Sequence, residues 1–96
     1  MAEKPRTERF KAAALQYDRS RDRAPRVVAS GKGVVAERIR DLALEAHIPI
    51  VEDAALVSAL LVLEIGDEVP TELYEAVAKV LSFVYRLDKE RRGVRS

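Results

Sequence analysis

Apolar residues fall along this chain in two rhythms. Phe10–Tyr17 and Arg26–Ser30 are short apolar runs, the second rich in β-branched residues, and each predicts a strand. Between them "DRSRDRAP", Asp18–Pro25, has no apolar period and ends in proline, which marks a loop. Gly31 and Gly33 then punctuate a turn. From Val34 to His47 the period becomes helical: Val35, Ile39, Leu42 and Ala46 form one stripe, with Glu37, Arg38, Asp41 and Glu45 on the wetter side. Ile48–Val51 reads as a third strand, with Pro49 near its start. Strand, helix and strand in that order predict a right-handed parallel crossover.

Asp53–Leu63 predicts a second helix, capped by Asp53 and apolar nearly all round, hence well buried. "EIGDEVP" is the connector to a third. Pro70 takes the first helical position there, and Glu72 and Glu75 sit near the positive end of the dipole. The last helix reaches about Leu87, with Leu73, Val77, Val80, Val84 and Leu87 as its core stripe. The order β-β-α-β-α-α predicts an α/β fold: a small mixed β-sheet packed with three helices, and a first strand with an unpaired edge. One domain over residues 10–88 is expected, between a flexible segment 1–9 and a basic tail 89–96.

Composition narrows the chemistry. A chain of 96 residues, 48% hydrophobic and 34% charged, suits one globular domain. The absence of cysteine excludes disulfides, thiolate nucleophiles and cysteine metal sites. No apolar leader or membrane-length run is present, so a cytoplasmic protein without membrane insertion is expected. The net charge of +1 is unevenly spread. Residues 1–26 hold eight Lys/Arg against four Asp/Glu, residues 27–87 five against ten, and residues 88–96 four against two. Basic ends flank an acidic body.

No motif in the chain builds an enzyme. His47 is the single histidine, without a convergent acid and nucleophile, and a metal site would need further ligands. Gly31-Lys32-Gly33 lacks both the phosphate-loop and the dinucleotide spacing and reads as a tight turn. Glu64, Asp67, Glu68, Glu72 and Glu75 cluster at a helix start, where acids serve the dipole. Arg19, Arg21, Arg23 and Arg26 form the densest basic run. A small nucleic-acid-binding protein using this loop is the alternative reading; no aromatic residue interleaves with these arginines to stack bases.

"AALQYD", "APRVVASGKG", "AERIRDLALEAHIPIVED" and "EIGDEVPTELYEAVAKVLSFVYRL" together resemble the cytoplasmic domain of the type III export-switch family, of the flagellar FlhB and virulence YscU type. The resemblance runs from Lys11 to Leu87, almost the whole chain. It implies the fold of that domain, which in the family follows four transmembrane helices. It also implies a comparison with self-cleavage, which family members perform within Asn-Pro-Thr-His by attack of the asparagine side chain on its own carbonyl carbon. Aligned on Tyr17-Asp18, the corresponding positions here are Thr7, Glu8, Arg9 and Phe10, and the chain contains no asparagine. The motif is lost, and the resemblance implies a stand-alone, non-cleaving relative of the piece that follows the cut. Ala54-Ala55 stands where the family often carries a double proline.

By the same resemblance, a hydrophobic patch that docks early export substrates corresponds to Ala24 and Pro25 on the loop and Ala78 and Leu81 on the last helix. Ala78 and Leu81 share a helix face; Leu81 either joins that patch or packs inside. The expected function is a non-catalytic binding module of flagellar or type III protein export, influencing substrate specificity and associated peripherally with the membrane export gate. It would recognise rod- or hook-type substrates or gate components. Its edge strand would accept a strand from the membrane-bound export-switch protein or from another copy of itself. No cofactor, metal or nucleic acid is expected.

Overall fold

The computed structural model of the chain describes residues 10–94. Strands β1, Lys11–Gln16, and β2, Arg26–Lys32, pair antiparallel, with Lys11 opposite Lys32 and Ala14 opposite Ala29. The next pair is Leu15 with Val27, so Val28 is an extra residue in β2, a bulge. Successive strand side chains would ordinarily alternate faces. That alternation is kept beside the bulge: Val27 turns fully inward, 0% exposed, and Val28 stands 43% exposed.

Helix α1, Val34–Glu45, starts at Gly33, whose φ of 62° suits glycine. Gly31 lies close beneath it: a Cβ there would overlap the Val35 Cγ1 methyl and stand 2.8 Å from the Val35 Cβ. The C-terminus of α1 closes with two bonds, the Ile48 amide donating to the Ala43 carbonyl at 2.9 Å and the His47 amide to Leu44 at 3.2 Å. His47 takes the left-handed φ of 59° that this end requires. Helix α2, Ala54–Leu60, is capped as expected, the Asp53 carboxylate accepting from the Leu56 amide at 3.0 Å.

The connector, not Ile48–Val51, flanks β2. The Val27 amide donates to the Asp67 carbonyl (3.0 Å), Gly66 to Val27 (2.7 Å) and Val69 to Pro25 (2.8 Å), giving a short antiparallel bridge at Arg26 and Glu68. Pro70 precedes a 3-10 turn, Thr71–Leu73, that leads into α3, Tyr74–Val94. Val27, Leu56, Leu60, Val69 and Val77 form the buried core.

The α/β class and the three helices stand as expected. The mixed sheet with a third strand does not: among the described residues the sheet has two strands, and Ile48–Val51 pairs with neither. Pro49 offers no amide donor, and the reversal at His47 directs the chain out of the helix. The consequence reaches α1. Its expected core stripe is largely uncovered, Val35 being 54% and Leu42 53% exposed, because the sheet beneath is only two strands wide. Likewise α2 buries Leu56 and Leu60 on one side, and Val62 just beyond it is 82% exposed. Pro70 lies just before the helical turns rather than inside the first. The last helix runs past Leu87 to Val94, in keeping with the strong helix formers and basic charges of "DKERR" near a helix C-terminus. Among the described residues no helix is long and apolar enough to cross a membrane.

Candidate functional site

The loop after β1 is held by its own side chains. The Asp18 carboxylate accepts from the Ser20 amide (2.9 Å), the Ser20 hydroxyl (2.6 Å) and Arg21 Nε (3.2 Å). The Asp18 carbonyl accepts from the amides of Arg21 and Asp22, and the Asp22 carboxylate accepts from the Asp18 amide at 2.8 Å. An aspartate bonding the backbone two residues on is the ordinary way such a turn is fixed. The Ser20 hydrogen bonds, with help from Arg21, hold the Asp18 carboxyl below its ordinary pKa.

The end of the loop is pinned by the connector. Val69 bonds Pro25, and Arg26 donates to the Gly66 carbonyl (2.9 Å) and to Glu68 (3.1 Å). Pro25 is thereby seated against α3. On that helix Tyr74, Ala78, Leu81 and Tyr85 recur at i, i+4, i+7 and i+11 and share one face, roughly 100° around the axis from the core stripe.

Loop and helix enclose an open groove of about 290 Å³. Its floor is apolar, formed by Pro25, Val77, Ala78 and Leu81. Tyr17, Tyr74 and Tyr85 wall it, and these are the chain's three tyrosines. Arg19, Arg23 and Ser82 stand at the rim, the Arg19 guanidinium 5.6 Å from the Tyr85 ring centroid. Among the described residues no carboxylate lines the groove. Rigid aromatic side chains with a polar tip give large contact area at low entropic cost, which is why they gather at interfaces.

Of the four residues expected at a docking patch, the structure brings Pro25, Ala78 and Leu81 to this groove. Ala24 does not reach it; it is 2% exposed. Ala78 is exposed, while Leu81 is half-buried and does both things asked of it, packing against the core and lining the groove. Thr7, Glu8 and Arg9 lie outside the described residues. Phe10 is half-buried under the Arg40 guanidinium, 5.2 Å from the ring centroid. His47 ends a helix, as described above. Among the described residues no group of acids and histidines is placed to hold a metal.

Sequence reasoning missed the tyrosines, and it named Arg19 and Arg23 only for the nucleic-acid alternative. A signal existed on the helix, where Tyr74 and Tyr85 share the phase of Ala78 and Leu81. Tyr17 carried none, because only the fold brings it to α3. The fold also supplies what the spacing withheld: aromatic rings beside Arg19 and Arg23.

Comparison with known proteins bears on the family and the fold. A family model described as the FlhB HrpN YscU SpaS Family matches residues 11–84. The Bacillus subtilis protein YlqH is 49% identical over 79 residues, covering 82% of this chain and 85% of YlqH. The flagellar biosynthetic protein FlhB of Yersinia enterocolitica is 46% identical over 82 residues, 84% of this chain but 21% of that protein. The chain thus spans about a fifth of the length of that FlhB. The crystal structure of the cytoplasmic domain of FlhB from Shewanella putrefaciens superposes with a TM-score of 0.81 at 36% identity, over 88% of this chain and 66% of that one.

Proposed function

The chain belongs to the FlhB HrpN YscU SpaS family of flagellar and type III protein export, and we propose that it acts there as a non-catalytic binding module. It docks rod- or hook-type export substrates, or components of the export gate, in the groove between the Tyr17–Pro25 loop and α3, and so influences which substrates pass. One observation carries this reading: Pro25, Ala78 and Leu81, distant in sequence, line one apolar groove together with all three tyrosines. A groove of that make-up, open to solvent, suits a protein segment better than a reacting small molecule. Self-cleavage of the family's kind has no nucleophile, since the chain contains no asparagine.

The outer edge of β1 offers a second contact. Among the described residues β1 pairs only with β2, and its other edge is open to a strand from the membrane-bound export-switch protein or from another copy of this chain. The nucleic-acid reading is weaker. Arg21 already pairs with Asp18 and Arg26 with Glu68, at 3.2 and 3.1 Å.

Capture of a purified hook-type export substrate by immobilised wild-type, Leu81→Asp and Ala78→Gln protein tests the proposal. Ala78 is exposed, so its glutamine fills the groove without entering the core. Both variants should lose the substrate; equal capture by wild type and Ala78→Gln would remove the groove from the account.

A further inference from the structure

The groove is apolar below and cationic above, and that asymmetry is informative. Arg19 and Arg23 line it, and among the described residues no acidic side chain does. Among the described residues Arg19 pairs with no carboxylate; it is exposed, and its guanidinium rests beside the Tyr85 ring, a contact that uses none of its N–H donors in a hydrogen bond. Arg23 is held hardly more firmly. Its side chain is 89% exposed and meets Glu68 at 3.8 Å, whereas Arg26 meets the same Glu68 oxygen at 3.1 Å. Two guanidinium groups are thus poised over an apolar floor with their donors largely unspent. The Asp18–Ser20–Arg21 hydrogen bonds fix the loop that carries them, so these donors are placed before a partner arrives.

We propose that Arg19 and Arg23 make the groove selective for a protein segment in which a bulky apolar side chain is flanked by aspartate or glutamate. The apolar residue fills the floor over Ala78 and Leu81, and the neighbouring carboxylates take the guanidinium donors at the rim. The cavity, about 290 Å³, is at the low end for a ligand pocket and accommodates an anchoring side chain rather than a whole folded element. Arginine suits the task because its fork matches a carboxylate in two parallel bonds. A nucleic acid fits less well: two rim cations neutralise few phosphates.

This inference rests on the docking reading above, and the test separates the two. Fluorescence anisotropy would follow labelled synthetic peptides of glycine and serine carrying one central phenylalanine, flanked either by aspartates or by asparagines. Wild-type protein should bind the aspartate peptide about fivefold more tightly, with the difference fading near 1 M salt. The Arg19→Gln/Arg23→Gln variant, altered only on an exposed loop, should bind both peptides as the wild type binds the asparagine one. If that variant keeps the preference, or wild type shows none while Ala78→Gln still abolishes binding, the selectivity is wrong and the docking reading survives. If neither peptide binds wild type, both fall together. Displacement of the aspartate peptide by oligothymidylate would also overturn the proposal, in favour of single-stranded nucleic acid.

Discussion

Val27 and Val28 are adjacent and chemically identical, yet the alternation of a strand gives them opposite fates, which makes them a sensitive test of the fold. Val27 is 0% exposed among Leu56, Leu60, Val69 and Val77, while Val28 is 43% exposed. Truncating Val27 to alanine removes two buried methyl groups, worth about 1.6 kcal/mol in transfer, and a cavity adds about 1 kcal/mol more. The same change at Val28 loses roughly half the transfer term and opens no cavity, so about 0.5–1 kcal/mol. For a domain of this size the difference translates into a melting-temperature drop of about 10–20 °C for Val27→Ala against about 2–8 °C for Val28→Ala. Urea denaturation followed by circular dichroism measures both, with the slope m expected to stay constant. Equal losses, or a larger loss at Val28, would mean that β2 is slipped by one residue. Pro25, two positions before Val27, would then not lie where the groove needs it, and the functional reading would lose its geometry.

Other changes follow from the same structure. Replacing Gly31 by alanine should destabilise by about 1–3 kcal/mol in urea melts, because the new methyl meets Val35; unchanged stability would show that α1 sits further from β2. His47→Gly should stabilise by up to about 1 kcal/mol, since glycine takes the left-handed conformation at this helix end without penalty, and a loss would contradict the assigned φ of 59°. Asp53→Ala should cost about 1 kcal/mol in the same melts and Asp53→Asn much less, because the amide oxygen can still accept from Leu56. The depressed pKa of Asp18 has a pH signature. Its contribution is present above the ordinary carboxylate range and is lost as pH falls through the lower folded value. The Ser20 amide resonance should therefore hold its position through mildly acidic pH and move only below the range of a free aspartate; a transition at the free value would deny these hydrogen bonds.

What the sequence made legible was local. The cap at Asp53, the turn at Gly33 and the Leu73, Val77 and Val80 part of the last helix's stripe each follow from residues within a few positions of one another, and all are present, whereas Val84 and Leu87 lie beyond the core cluster. What it hid was pairing. Ile48–Val51 has the composition of a strand, but composition does not say whether a partner edge is available, and Pro49 withholds a donor. Conversely Gly66–Val69, with a glycine and two acids, carries no strand signal and still bonds to β2, because the reversal at Gly66, φ 99°, returns the chain beside it. The exposed stripe of α1 follows from the same absence of a third strand. The groove was half legible. Ala78, Leu81 and Pro25 were named through family resemblance, whereas Tyr17 and the rim arginines join them across the separation between a loop and the last helix. Ala24, adjacent to Pro25 in the loop before β2, is buried without reaching the groove.

The most direct test of the docking claim is a two-dimensional NMR titration of isotope-labelled protein with an unlabelled hook-type export substrate. The account predicts amide shifts concentrated at Tyr17–Pro25 and along Tyr74–Tyr85. Shifts confined to β1 and Ile48–Val51, with the groove silent, would place the partner at the sheet edge instead and contradict it.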